Sequence, residues 1–392
     1  MHSHERPEQD RDDLPAPGDA LPGSAQWVRR VLAAGWGEPW AGLPVRPFSA
    51  DGAAPLTHTA GLWHVDLPGN SHVLKVQLNP DAARQRRFYP LKERIAAHCR
   101  NLGVPVPEAV PALNGATSVW CQGLVCELNP RLDGSSAVWF TAAQAQQVVR
   151  AGLDLRTALD QLPSPVAREL ARIPLPRLVE EEHWPTALKD AEERLLPLAE
   201  QGEDDWHRAA ATALRETVAG GHLLRHTGVP AVGEPVARPA VVHSDLHYHH
   251  FLLTDDGPTG EPRVRGVLDF DNVHLGDRLL DLAWLAEAAG RVADPDRRRR
   301  SLAAFRGAAT ARGLLRPGEE RLLMPLLMAH ALPVIVDIAK DILERNILSP
   351  VWLGYFDLLS PARRLEIHHL LTAPDASAPA SCRASGPSPY EI

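Results

Sequence analysis

The stretch Val241–Leu253, VVHSDLHYHHFLL, places four histidines and one aspartate between two apolar runs. An apolar strand leads into His243-Ser244-Asp245, and a second apolar run begins at Phe251. Three interpretations are open at this point: a metal site, a buried structural turn, or the catalytic loop of an enzyme. A zinc site is the least favoured, because several ligands from one short loop would have to converge without a cysteine or carboxylate at a known zinc spacing.

A second strand ends in carboxylates shortly afterwards. Residues Val264–Asp271, VRGVLDFD, form an apolar run that ends at Asp269 and Asp271. Two strands that end side by side, each with a carboxylate at its tip, make a natural site for a divalent cation and a phosphate group. Because Mg²⁺ takes one or two protein carboxylates together with phosphate oxygens, Asp245 and Asp269 are sufficient for such a site.

The two blocks resemble those of a known family. HSDLHYHHFLL, followed by GVLDFDNVHLGDRLLDLAWL, is similar to the H-G-D-L-H-x-x-N and I-D-F-x-x-x-x-x-G-D-P-x-x-D-L-A blocks of the aminoglycoside phosphotransferase and choline kinase superfamily. The likeness is specific, because both blocks occur in the right order and the second continues through Gly276-Asp277 and Asp281-Leu282-Ala283. It implies an α+β protein with a two-lobed, protein-kinase-like fold, which has a small β-rich N-lobe and a larger, mainly helical C-lobe.

The resemblance implies a role for each matching position of the two blocks. Asp245 is the implied catalytic residue, which accepts or orients the proton of the acceptor hydroxyl. Asp269 is the implied ligand of the Mg²⁺ that bridges the β- and γ-phosphates of ATP or GTP. The implied structural residues of the motif are His243, Asp277 and Asp281, of which His243 and Asp281 brace the loop through hydrogen bonds.

A strand lysine for the nucleotide phosphates is also implied by the resemblance. The chain has only four lysines, and Lys75 lies in the middle of the apolar strand Val73–Val76. A charged residue between buried neighbours is unusual unless it has a partner or a ligand. In this family a helix glutamate pairs with the lysine, and Glu93 is the only glutamate in the helical stretch 81–102. The alternative for Glu93 is an ordinary solvated glutamate on the helix surface.

Two further parts of the nucleotide site are assigned from their order in the chain. The segment Leu124–Gly134 resembles the hinge between the lobes, where backbone groups of Glu127 and Leu128 would hold the base. The hairpin from Ser49 to Gly61 would cover the phosphates, although it lacks the G-x-G-x-x-G of protein kinases.

The main departure from the family pattern is at His250. The family usually has asparagine at this position, as a second magnesium ligand, whereas members that resemble macrolide phosphotransferases carry histidine. Imidazole is a poor magnesium ligand, since hard cations select oxygen. We therefore expect His250 beside the metal, either acting through a bound water or leaving Asp269 to hold the ion.

The chain divides into a strand-rich half followed by a helix-rich half, which is typical of an α+β protein. We expect an N-lobe over residues 25–129 and a C-lobe over residues 130–372, with disordered tails at 1–24 and 373–392 whose composition is polar or rich in Pro, Ala and Ser. Helices are predicted at 81–102, 141–160, 187–218, 277–290, 298–312, 318–346 and 359–372. Pro90 is expected to kink or restart the first of them.

Composition excludes several classes of function. A net charge of −8 gives no basis for binding nucleic acid, and 44% apolar with 23% charged residues is the composition of an ordinary globular protein. The four cysteines show no C-x-x-C spacing, which indicates a reduced compartment. No apolar run reaches the length of a membrane span, and the N-terminus is polar. We therefore expect a cytoplasmic protein.

The sequence thus predicts Mg²⁺-dependent transfer of the γ-phosphoryl group of ATP or GTP to a hydroxyl acceptor. By analogy with the family, that acceptor is a small molecule such as an antibiotic or another natural product, in resistance or in biosynthesis. The acidic segment Glu180-Glu181-Glu182 would suit a cationic acceptor, although a solvated helix face is the commoner meaning of such a charge run. Two alternatives stay open: a Ser/Thr kinase for a natural-product precursor peptide, and a pseudokinase that serves as a binding partner.

Overall fold

A computed structural model describes residues 13–14, 21–48, 60–79, 83–175, 183–229, 239–255 and 260–373. The strands in these ranges are β1 Asp13–Leu14, β2 Val45–Pro47, β3 Ala60–Leu67, β4 Asn70–Gln77, β5 Val119–Cys121, β6 Leu124–Pro130, β7 Ala240–Val242, β8 Phe251–Thr254, β9 Arg263–Val267 and β10 His274–Gly276. The helices are α1 Ala25–Trp36, α2 Glu38–Ala41, α3 Phe88–Asn101, α4 Ala142–Asp160, α5 Ser164–Leu170, α6 Trp184–Asp190, α7 Leu196–Ala199, α8 Asp205–Thr227, α9 Leu279–Gly290, α10 Pro295–Ala311, α11 Glu320–Leu343, α12 Pro350–Leu359 and α13 Pro361–Thr372.

A sheet with the order β1-β5-β6-β4-β3-β2 forms the N-terminal part of the structure. Strands β3 and β4 form a hairpin in this sheet and pair in antiparallel register from Ala60 opposite Gln77 to Leu67 opposite Asn70. Because successive strand residues face opposite sides of a sheet, Leu74 and Val76 enter the core beneath α1, and Lys75 faces the other way. The strand pattern therefore directs Lys75 out of this core.

The described part of the N-terminal segment differs from the tail predicted at 1–24. Strand β1 pairs in parallel with β5, and Ser24 caps helix α1 by accepting a hydrogen bond from the backbone N–H of Trp27. Pairing along a sheet edge uses main-chain groups that every residue except proline carries, so it leaves no apolar pattern in the sequence. Most of the predicted tail at 373–392 lies outside the described residues.

Helix α3 begins later than predicted, at Phe88. Pro90 neither kinks nor interrupts it, because this residue lies in the first turn, where the backbone N–H has no partner within the helix. The apolar face of α3, which includes Leu91 and Ile95, packs into the core that also holds α4 and α9. This packing connects the sheet side of the molecule to the helical side.

The helical half is confirmed in outline, with two corrections. The single helix predicted at 187–218 is two segments: α6, a π-helical turn Ala191–Leu195 and α7 form the first, and α8 forms the second. Residues 200–204, which include Gly202, separate them, and Asp204 caps α8 by accepting from two backbone N–H groups. The second correction is that helices α5 and α12 were not predicted.

Helix α11 is long and apolar enough to cross a membrane by composition alone, with a mean hydropathy of 2.0 in its most apolar window. However, 72% of that window is buried inside the protein, where α11 packs against α8, α9 and α13. Such burial is typical of the central helix of a helical lobe, which needs an apolar surface on most sides.

Two short strand pairs position the polar loops predicted to carry chemistry. Strand β7 pairs with β10, and β8 pairs with β9 across a bulge between Leu252 and Leu253. The loop 243–247 therefore starts at the end of β7, and the loop after β9 starts at Leu268. The His250 ring lies between these loops, 2.6 Å from the carbonyl of Asp245 and 3.7 Å from Asp269 Oδ2, so the two aspartates come together.

Candidate active site

Asp281 holds the backbone of the loop that follows β7. Its carboxylate accepts hydrogen bonds from the backbone N–H of His243 at 3.1 Å and of Ser244 at 2.8 Å. The Asp281 side chain is fully buried, and the guanidinium of Arg156, also buried, donates to it at 2.8 Å. Ser244 has a φ of +66°, a conformation that non-glycine residues rarely adopt. The carboxylate thus fixes a strained turn immediately before Asp245.

His243 braces the same loop from the other side. Its Nε2 lies 3.0 Å from the carbonyl of Leu268, and its Nδ1 accepts from the backbone N–H of Asp245 at 3.4 Å. This pattern assigns the proton to Nε2, and burial lowers the pKa of the ring, so the imidazole is neutral. His243 therefore ties the loop of Asp245 to the strand end that carries Asp269.

Asp277 lies away from this loop, at the start of α9. Its carboxylate accepts from the backbone N–H of Leu279 at 2.9 Å, and its carbonyl accepts from that of Leu280 at 2.9 Å. An aspartate at this position satisfies N–H groups that have no partner within the helix. Asp277 thus caps the helix that carries Asp281.

The carboxylate of Asp245 is partly exposed, and side chains surround it. The amide of Asn272 donates to its Oδ2 at 3.2 Å, and His247 Nε2 lies 3.7 Å from its Oδ1. The rings of His247 and His250 lie against each other, with centroids 3.7 Å apart. Burial, followed by the neighbouring His250 and His249, lowers the pKa of His247, so its ring is neutral beside Asp245.

His250 lies between the two aspartates. Its Nδ1 lies 2.6 Å from the backbone carbonyl of Asp245, a distance at which the ring nitrogen must donate. The proton of a neutral ring is therefore on Nδ1, and Nε2 presents a lone pair toward Asp269 Oδ2, 3.7 Å away. The imidazole presents Nε2 for a ligand and anchors the loop that carries Asp245 through Nδ1.

Lys75, on strand β4, contacts the two aspartates that follow strand β9. Its Nζ contacts Asp269 Oδ1 at 2.8 Å and Asp271 Oδ2 at 2.7 Å. Burial alone would lower the pKa of Lys75, but Asp269, Asp271 and Glu127 outweigh it and raise that pKa well above its usual value. Burial likewise opposes ionisation of Asp269, yet the contact with Lys75 holds the pKa of Asp269 well below its usual range. Both groups are therefore charged.

The predicted partner of Lys75, Glu93, lies elsewhere. Its carboxylate pairs with Arg100 on the same helix, and Arg100 also donates to the carbonyl of Pro107 at 2.9 Å. The residue of α3 that reaches the site is Lys92, one position earlier and about 100° around the helix. The prediction for Glu93 thus named the right helix and the wrong face of it.

The predicted hinge residues Glu127 and Leu128 lie within β6. Leu128 is buried opposite Leu74, and its carbonyl accepts from the backbone N–H of Val110 at 2.7 Å. The Glu127 carboxylate is engaged by Lys92 at 2.5 and 2.7 Å. The Leu128 carbonyl thus already accepts one hydrogen bond within the protein, and the Glu127 side chain is held by Lys92.

Sequence reasoning assigned no role to three residues that the structure brings into the site: Asp271, Asn272 and Lys92. Asp271 and Asn272 directly follow Asp269 in the second block, so their position in DFDN was a usable signal. Lys92 is one of only four lysines in the chain, but this scarcity was used to identify Lys75 and not Lys92. The hairpin 49–59 and the segment Glu180–Glu182 lie outside the described residues.

The side chains at the two strand ends fit a divalent cation. Asp245, His247 and His250 each offer a ligand atom, and these atoms lie within 4.8 Å of one another. The Asp269 carboxylate faces the free Nε2 of His250 and supplies the oxygen that a hard cation prefers. The donor set is a mixture of carboxylate and imidazole, in which Asp245 belongs to the cluster and Asp269 adds a second carboxylate beside His250.

The model of the phosphotransferase enzyme family matches residues 63–317. The chain belongs to this family. The match spans the sheet lysine, both motif blocks and α3, so every part of the geometry above lies within it. A comparison with curated protein sequences finds no match. Membership in the family makes the chain an O-phosphotransferase that uses a nucleoside triphosphate, as the motifs predicted.

Solved structures of two phosphotransferases share the fold. A spectinomycin phosphotransferase in complex with ADP and spectinomycin is 14% identical with a TM-score of 0.60, and the alignment covers 90% of this chain and 99% of that chain. A microcompartment-associated aminopropanol kinase is 17% identical with a TM-score of 0.54, and covers 85% of this chain and 95% of that chain. The predicted two-lobed, kinase-like α+β fold is confirmed.

Proposed function

We propose that this phosphotransferase moves the γ-phosphoryl group of ATP or GTP to a hydroxyl of a small molecule, an antibiotic or another natural product. The observation that supports it most directly is the arrangement around His250. One ring nitrogen holds the carbonyl of Asp245, the other faces Asp269, and Lys75 contacts Asp269 from the sheet. A base for the acceptor, an oxygen ligand for a metal and a cation for the phosphates thus lie side by side.

Asp245 accepts the proton of the acceptor hydroxyl in this proposal. Its carboxylate is partly exposed, and Asn272 and His247 limit how it can turn. The neutral state of His247 matters here, because a positive charge so close would stabilise the carboxylate and weaken it as a base. Asp245 is therefore oriented by uncharged groups.

Lys75 binds the nucleotide phosphates, which requires it to exchange a carboxylate partner for a phosphate oxygen. The ammonium is a compact charge on a flexible stem, so this exchange needs only rotation about side-chain bonds. Asp269, assisted by His250, would hold Mg²⁺, and the ion when bound would neutralise charge on the phosphates. His243, Asp277 and Asp281 keep the two strand ends in register.

The acceptor is inferred from the compounds named for two structures that share the fold. The spectinomycin phosphotransferase structure contains a small antibiotic, and the aminopropanol kinase is named for a small amino alcohol. We therefore favour a small-molecule acceptor over a peptide. The same proposal includes an N-lobe over residues 25–129, a C-lobe over residues 130–372 and a cytoplasmic location. The reaction would serve either resistance or biosynthesis.

The test is a phosphotransfer screen. The protein is incubated with ATP or GTP, Mg²⁺ and a panel of hydroxyl compounds that includes aminoglycosides, neutral antibiotics, amino alcohols and serine-containing peptides. We expect one compound class to gain the mass of one phosphoryl group, and Asp245→Asn to abolish that gain while nucleotide binding persists. Phosphorylation of peptides alone would refute the small-molecule assignment, and an unchanged rate in Asp245→Asn would refute the catalytic one.

A further inference from the structure

Helix α3 brings a cation to the nucleotide site. Lys92 Nζ contacts both carboxylate oxygens of Glu127, at 2.5 and 2.7 Å, and Asp271 Oδ1 at 2.6 Å. Its side chain is 12% exposed and passes over the ring of Tyr89, with Nζ 5.1 Å from the ring centre. Three short contacts and a covered stem hold this ammonium in one position.

The two lysines share a carboxylate. Asp271 gives one oxygen to Lys75 at 2.7 Å and the other to Lys92 at 2.6 Å. Glu127 lies directly opposite Lys75 in the pairing of β4 with β6. The cluster therefore contains two ammonium groups and three carboxylates, the third being Asp269. Without Lys92, one ammonium would face three carboxylates.

We propose that Lys92 is a positioning residue that holds Asp271 and Glu127, so that Lys75 is free to exchange its carboxylate contacts for the nucleotide phosphates. This inference rests on the proposed function, in which Lys75 binds those phosphates. Lys92 stays with its two carboxylates in this arrangement and does not itself contact the nucleotide. In this arrangement the cation Lys92 lies on helix α3, and the carboxylate Glu127 lies on strand β6.

The physical basis of the role of Lys92 is that carboxylates and nucleotide phosphates compete for the ammonium of Lys75. A buried carboxylate without a partner is costly, so Asp271 and Glu127 would draw in the nearest ammonium if Lys92 were removed. That ammonium belongs to Lys75, which already contacts Asp271. Binding of a phosphate would then have to break a stronger pairing. We expect Lys92→Met to weaken nucleotide affinity about tenfold, with a smaller effect on kcat at saturating nucleotide.

The experiment measures the Kd of ATP with Mg²⁺ by titration calorimetry on the full chain. The variants are Lys92→Met, Asp271→Asn and the double variant. If Lys92 acts by holding carboxylates, the double variant recovers most of the lost affinity, because Asp271, the one of its two carboxylates that contacts Lys75, is neutralised as well. A role in folding alone would not give this recovery. Lys92→Arg, which can hold both carboxylates, should bind within about threefold of wild type.

Arg94→Met is the matched control. Arg94 is on the same helix, and its ion pair with Glu169 is exposed, so its removal also deletes one helix cation. We expect ATP affinity equal to wild type. If Lys92→Met fails to fold, judged by circular dichroism and thermal unfolding, the comparison is made in the Glu127→Gln background, where fewer buried carboxylates are left without a partner.

Two results overturn the inference: wild-type affinity in Lys92→Met, or a double variant as weak as Lys92→Met, which would mean that Lys92 contacts the phosphates directly. Lys75→Met separates this inference from the proposed function. Loss of binding in Lys75→Met with no loss in Lys92→Met refutes only the role of Lys92. Wild-type binding in Lys75→Met refutes the role of Lys75 on which both depend.

Discussion

Replacement of Asp281 by alanine tests most directly whether the Asp281 carboxylate fixes the backbone of the loop that carries Asp245. The fully buried carboxylate accepts from two backbone N–H groups, of His243 and Ser244, and from the guanidinium of Arg156. Alanine at this position leaves both N–H groups without a partner and leaves the buried guanidinium without its buried counter-ion. Ser244, with its positive φ, loses the contact that offsets its strain.

The expected cost follows from these contacts. Removal of one member of a buried ion pair costs about 3–5 kcal/mol, and each buried N–H group left without a partner adds about 1–3 kcal/mol. Water that enters the vacated space offsets part of this sum, so we expect a loss of at least about 4 kcal/mol in the free energy of unfolding. Stability of folded domains is typically about 5–15 kcal/mol, so the variant should lose between about a quarter and most of its stability.

Asp160→Asn is the matched control, because Asp160 pairs with the same Arg156 at 2.6 Å but its side chain is 40% exposed. Exposed pairs contribute about 0–1 kcal/mol. Urea unfolding followed by circular dichroism compares the two variants, and phosphotransfer is measured on whatever folds. A cost below about 1 kcal/mol for Asp281→Ala, or equal costs for both variants, would refute the assignment of Asp281 as the brace of this loop.

Three further predictions concern the proposed base Asp245, its neighbour Asn272, and the stability of the protein at acid pH. Asp245→Asn should lower kcat at least about 100-fold, the lower end of general-base contributions, with unchanged nucleotide Kd; an equal loss of both would contradict it. Asn272→Leu frees the Asp245 carboxylate and should lower kcat with little change in nucleotide Kd, as steady-state kinetics would reveal. Burial lowers the pKa of His330 to about 4, so the folded state resists protonation that the unfolded state accepts below about pH 6.5. Unfolding free energy should therefore fall by about 2 kcal/mol from this group between pH 7 and pH 5, and His330→Leu should reduce that fall in urea titrations at both pH values.

The parts of the site that were predictable lie in continuous sequence. The loop from His243 to His250 and the strand end at Asp269 are each a strand followed by polar residues, and local pattern identifies both. Lys75 was identifiable because a lysine between apolar strand neighbours is unusual. The structure brings these residues together, with Lys75 against Asp269 and His250 between Asp269 and Asp245.

The parts that were not predictable depend on helix register and strand register. Whether Lys92 or Glu93 faces the sheet is decided by where α3 begins, and Pro90 is compatible with both a kink and a first-turn position. That Glu127 lies opposite Lys75 requires the pairing of β4 with β6, whose strands are separated by α3 and β5. Sequence pattern alone contains no information on which residue of β6 lies opposite which residue of β4.

The scarcity of lysine in this chain gains meaning once its four positions are known. Arginine supplies nearly all the positive charge, and its planar, multidentate group suits fixed pairs such as that of Arg156 with Asp281. Two of the four lysines, Lys75 and Lys92, occupy the buried cluster, whereas the other two form ion pairs with acidic residues of the helical half. A compact ammonium can pass from a carboxylate to a phosphate with little movement, whereas a guanidinium held by two hydrogen bonds must break both. The lysine at position 75 therefore suits the exchange of carboxylate for phosphate that the proposed function requires of it.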